Sequence, residues 1–122
     1  MDLTEYLPAK MTTGEHRLKI TEAGICQSES GTTLCRVWLR NEKGASFGQN
    51  FAQTPRALPC LAGFCIACGL TEQQLKDFAP SDLVDREVIG NVYRNDDSFW
   101  AMKSWRPIPP REDQQPGMPD LF

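Results

Sequence analysis

The stretch "TLCRVWLR" constrains the fold more than any other part of this chain. Successive side chains of a β-strand point to opposite faces, so Leu34, Arg36, Trp38 and Arg40 share one face while Cys35, Val37 and Leu39 share the other. The second set is wholly apolar and belongs against a core. The first sets two guanidinium groups around an indole, on the face turned away from that core.

The neighbouring segments supply the rest of a sheet. "GEHRLKITEA" alternates His16, Leu18 and Ile20 against Glu15, Arg17, Lys19 and Thr21, the period of a half-buried strand. After the turn-rich "QSESG" comes the second strand, and "NEKG" then turns into "SFGQNFA", so strands two and three form a hairpin. In "TPRALPCLAGFCIACGL" apolar residues recur at spacings of three and four. This predicts a buried helix with Thr54 as cap, Pro55 at its first position and Gly69 as its stop. "TEQQLKDF" reads as a second short helix, capped by Thr71 with Gln74 three residues on. "REVIGNVYR", the turn "NDDS" and "FWAMKSWRPI" give strands four and five. The fold class is therefore mostly β in the order β-β-β-α-β-β, that of the five-stranded, partly open OB-fold barrel. That domain is expected over residues 1–107. From Arg106 onward five prolines fall within seventeen residues, so 108–122 is expected to be a disordered, acidic, Pro-rich tail.

Composition limits the alternatives. A chain of 122 residues with 40% apolar and 24% charged content suits one domain with an ordinary core. No apolar run approaches the roughly 20 residues of a membrane-spanning helix. The acidic start "MDLTEYLPAK" lacks the basic and apolar regions of a signal peptide. No membrane association is expected, and the five cysteines, an odd number without an export signal, are expected to be reduced thiols. The net charge of −3 is unevenly placed: between Gly14 and Arg56 six basic residues face four acidic ones, and the excess acid follows later. A local basic track for nucleic acid is compatible with that balance.

The Arg36-Trp38-Arg40 face suits a single strand of nucleic acid, since guanidinium groups neutralise phosphates and an indole stacks on any base. Strand one is expected to present Arg17 and Lys19 beside it. Trp38 packing under a loop, with its arginines merely solvated, is the competing reading. Seven strand aromatics are too many for so small a barrel to bury. The last hairpin, however, has apolar residues on both faces. Tyr93 and Trp100 are each open to stacking or to the core, with Arg94 a further candidate phosphate contact.

Taken together, "GEHRLKITEA", "TLCRVWLR", the "FAQTP" lead into a helix ending "ACGL", and the aromatic last hairpin resemble small phage-encoded single-stranded-DNA-binding proteins with an OB-fold. The ending "PGMPDLF" resembles the acidic C-terminal tip of bacterial and phage single-strand-binding proteins. The resemblance implies a non-enzymatic protein that coats single-stranded DNA with little base preference in the cytoplasm of an infected bacterium. It further implies that Asp120, Leu121 and Phe122 recruit replication and recombination proteins, with Glu112 and Asp113 as weaker electrostatic help. The tip departs from that pattern in carrying one adjacent acid rather than a run. A homodimer is left open.

Two other readings remain. Cys60, Cys65 and Cys68 have the C-x4-C-x2-C spacing of plant-type ferredoxins, but no fourth cysteine follows and the stretch has helical periodicity. A zinc site would need His16 to complete the same three thiols. Buried free cysteines are the commoner case, so no cofactor is expected. A phage inhibitor of a host protein would share the small size and acidity. One histidine, no grouped carboxylates and no Gly-rich phosphate loop give catalysis little support.

Overall fold

A computed structural model describes residues 1–4 and 10–109. The elements are β1 (Gly14–Gln27), β2 (Thr33–Asn41), β3 (Ser46–Ala52), α1 (Leu58–Ala67), α2 (Glu72–Lys76), β4 (Glu87–Arg94) and β5 (Trp100–Arg106), with a 3-10 turn at Pro80–Leu83 before β4. The five strands form one antiparallel sheet in the order β3-β2-β1-β4-β5, so the protein is mostly β. Among the described residues no helix is long and apolar enough to cross a membrane.

β1 is longer than its alternation suggested, and a bulge explains why. Leu18 to Ile20 pair with Asn41 to Leu39, but the next partner of β2 is Glu22, leaving Thr21 as an extra residue. An extra residue reverses which side chains point inward and bends the strand. Leu18 and Ile20 are fully buried before the bulge, whereas after it Ala23 packs on the core. The bend lets one strand serve two partners: Gly14–Lys19 pairs with β4, and Leu18–Gln27 with β2.

β5 carries the second bulge, which explains why its sequence shows apolar residues on both faces. Asn91 pairs with Ser104 but Val92 with Met102, so Lys103 is the unpaired residue. Met102 and Trp105, which strict alternation would put on opposite faces, therefore both pack on the core. Gly90 makes room for this: a Cβ there would lie 2.6 Å from Met102 Sδ and 2.8 Å from Leu18 Cδ1.

The helix α1 starts later than expected, with Ala57 at its N-cap and Pro59 in its first turn. Thr54 instead closes the preceding turn, its hydroxyl accepting from Ala57 N at 3.3 Å. The C-terminus is as read. Gly69 adopts φ +94°, with Leu70 N donating to Cys65 O and Gly69 N to Ile66 O, the paired bonds of a Schellman ending. α2 carries the expected capping box between Thr71 and Gln74.

β3 and β5 are the two edges of the sheet, and α1 lies across the space between them. Phe64 sits 4.8 Å from Phe51 and 5.5 Å from Trp105, centroid to centroid, with Phe51 and Trp105 5.6 Å apart. This aromatic trio fills one end of the seam. Further along, Met102 N donates to Gln49 Oε1 at 3.0 Å, a side-chain bridge between β5 and β3 where no backbone ladder runs.

Candidate nucleic-acid interface

β2 alternates without interruption. Cys35, Val37 and Leu39 are fully buried while Arg36, Trp38 and Arg40 are exposed. Trp38 pairs with Gly48 of β3, and the pairing matters because a Cβ on Gly48 would come within 3.2 Å of both the Arg36 guanidinium and Trp38 Cζ3. The missing side chain lets both groups lie down over β3. The Arg36 guanidinium carbon sits 4.6 Å from the Trp38 ring centroid, a cation–π contact.

Facing this pair is the turn between β4 and β5. Asn95 Oδ1 accepts from Asp97 N and Phe99 N, both at 3.0 Å, and Ser98 adopts φ +65°. That geometry holds Phe99 outward, 69% exposed. Trp100 follows, half-buried, with the Arg94 guanidinium carbon 5.2 Å from its ring centroid. Between the two walls runs a groove of about 640 Å³ lined by Arg36, Trp38, Gly48, Asn50, Phe99 and Trp100 among others. No described acidic side chain lines it; Asp96 and Asp97 belong to the turn but stand outside the groove.

Arg17, Lys19 and Arg40 are placed elsewhere. They line a second depression, of about 570 Å³, together with Glu42, Asp85 and Glu87. Arg17 Nε lies 2.6 Å from Glu87 Oε1, and Lys19 Nζ lies 3.8 Å from Asp85 Oδ1. Two of its three cations are thus committed to carboxylates. The eight residues singled out from sequence therefore divide. Arg36, Trp38 and Trp100 line one groove with Arg94 stacked at its margin, Arg17, Lys19 and Arg40 share a charge-balanced hollow, and half-buried Tyr93 lines neither. Asp120, Leu121 and Phe122, like Glu112 and Asp113, lie outside the described residues.

The sequence reading missed Gly48, Asn50 and Phe99. Only Gly48 carried a signal, because glycine inside a strand marks close approach of a neighbour. Phe99 depends on the fold of a turn against a distant strand.

The cysteines do not converge. Cys60 is exposed on α1, whereas Cys65 and Cys68 are buried, their thiols pushed up to about 12 chiefly by burial. Among the described residues no three His, Cys, Asp or Glu side chains are placed to hold a metal ion. His16 Nε2 lies 2.7 Å from the Thr12 carbonyl oxygen, which can only accept, so that nitrogen carries the proton. A scan against protein-family models finds no match for the chain, and a search of curated proteins finds none either.

Proposed function

We propose that the protein is a non-enzymatic OB-fold protein that binds single-stranded DNA in the groove between β2, β3 and the β4–β5 turn. The observation that carries this reading is the pairing of two tryptophans with two arginines on a groove free of described carboxylates. Indoles stack on bases of any identity and guanidinium groups neutralise phosphates, which together give binding with little sequence preference. The barrel assignment is supported by the strand order β3-β2-β1-β4-β5, which leaves β3 and β5 as the edges, and by the Gln49–Met102 bond and the Phe51, Phe64 and Trp105 rings that link those edges, as a five-stranded, partly open barrel requires. Arg17, Lys19 and Arg40 then contribute little, since Glu42, Asp85 and Glu87 balance them in their own hollow. The tail "PGMPDLF" is proposed, on its resemblance alone, to recruit replication or recombination proteins.

The deciding experiment is a titration of labelled oligo-dT, a matched duplex and a matched RNA at two salt concentrations. Oligo-dT should bind best and weaken with salt by about 0.7 log unit per log unit of salt for each phosphate neutralised. Equal affinity for duplex and oligo-dT, or no binding to either, would sink the coating role and leave an inhibitor of a host protein as the better reading.

A further inference from the structure

The Arg36 guanidinium lies over the ring of Trp38 and Arg94 over that of Trp100, and Arg36, Trp38 and Trp100 all line the groove. Neither arginine has a carboxylate within ion-pair distance among the described residues, unlike Arg17, Lys19 and Arg106. Both are therefore held by indoles rather than by opposite charge. Such a contact is weak at an exposed site and leaves the guanidinium donors free to move to a stronger acceptor.

We infer that Arg36 is an exchangeable cover for Trp38: a nucleic-acid base takes the ring face the guanidinium occupies, and the guanidinium swings onto the adjoining phosphate. This deepens the single-strand reading above and rests on it. Gly48 is the floor on which the exchange happens, because a side chain there would wedge against both groups at 3.2 Å. Arg36 thus makes two opposed contributions. It favours binding through the phosphate, to a degree that depends on salt, and it opposes binding through the ring contact that must first be given up, to a degree that does not. A duplex has no unstacked base to take the ring, so a guanidinium drawn off by its phosphate leaves the indole bare, and the stacking that repays the exchange on a single strand is missing.

The test compares oligo-dT binding by the full chain and by Arg36→Ala from about 50 mM to 1 M salt, where each phosphate contact is worth about 0.7 in the log–log slope. The variant should lose about 0.7 of slope and bind more weakly at low salt. Near 1 M it should bind about two- to fivefold more tightly, the factor that an exposed cation–π contact represents. The two lines should cross. A variant weaker at every salt concentration overturns the exchange while leaving single-strand binding intact, whereas wild-type protein that ignores oligo-dT defeats both. A second readout is independent of affinity. Arg36 side-chain protons, assigned by their loss in Arg36→Lys, should be shifted upfield by the indole ring current in the free protein and should lose that shift at saturation with oligo-dT. Retention of the shift in the saturated complex means the base stacks elsewhere and the inference is wrong.

Discussion

Trp38 exposes 38% of its surface on a strand whose other face is fully buried, so its side chain can be removed without opening the core. Trp38→Ala should therefore keep cooperative unfolding at an unchanged denaturant midpoint while losing about 1 to 3 kcal/mol of oligo-dT binding, the usual worth of one base-stacking platform. Fluorescence titration paired with urea melts separates the two effects. The cysteines make a different residue-scale prediction. Burial raises the Cys35 thiol to about 11 and those of Cys65 and Cys68 to about 12, while Cys60 is exposed. The folded protein holds these three protons at a pH where the unfolded chain releases them, above about pH 9 for ordinary thiols. The contribution is therefore complete below that pH and is lost as pH rises through the folded values. The urea midpoint should fall as pH rises above about 9, and should fall less in Cys65→Ala. At neutral pH a thiol reagent should label Cys60 well before the buried three.

At the scale of elements the two bulges do most to shape the surface. Thr21 bends β1 between its partners, and Lys103 turns both Met102 and Trp105 inward, while the β4–β5 turn brings Phe99, and the start of β5 brings Trp100, to the groove. The seam between β3 and β5 is then held by side chains. Gln49→Leu removes the acceptor for Met102 N and leaves a part-buried donor without its partner, which should cost about 1 to 3 kcal/mol. Its signature is local: hydrogen exchange at the Met102 amide should speed up far more than at β1 amides such as Ile20, whose N–H donates to Arg86 O. No acceleration at the Met102 amide would mean the bridge contributes nothing to the seam. The helices show which element features are local. The Thr71–Gln74 box and the Gly69 ending needed only neighbours in sequence, whereas the true start of α1 depended on Thr54 closing the turn before it and on Pro59 falling in its first turn.

For the whole molecule, charge placement decides how the parts cooperate. The groove is lined without described carboxylates, the second hollow is nearly balanced, and the sequence after Ile108 carries Glu112, Asp113 and Asp120 against Arg111 alone. If the tail serves partners rather than the fold, deleting 118–122 should leave the melting temperature unchanged. Oligo-dT affinity should then stay equal or rise slightly at low salt, where a competing negative segment is removed. Capture of a defined replication or recombination protein on immobilised protein should disappear, and Phe122→Ala alone should lose most of it, since burying one ring contributes on the order of 2 kcal/mol. A truncated protein that unfolds would make the tail part of the core, and undiminished capture would place recruitment on the sheet.

The sequence by itself determined what rests on short-range periodicity and local chemistry: five strands, two helices, their order, the apolar face of Cys35, Val37 and Leu39, and the outward Arg36-Trp38-Arg40 face. Those features repeat every two to four residues and need no knowledge of the rest of the chain. Tertiary structure alone decided which outward residues act together. Arg17 is drawn to Glu87, 70 residues away, and Trp38 is brought opposite Phe99 across a groove built from three separate segments. Two unpaired residues, Thr21 and Lys103, reset the facing of everything beyond them. A bulge is fixed by register between strands distant in sequence, so in the bulged strand it leaves only a break in alternation, like the apolar residues on both faces of the last hairpin, which does not say where the extra residue sits.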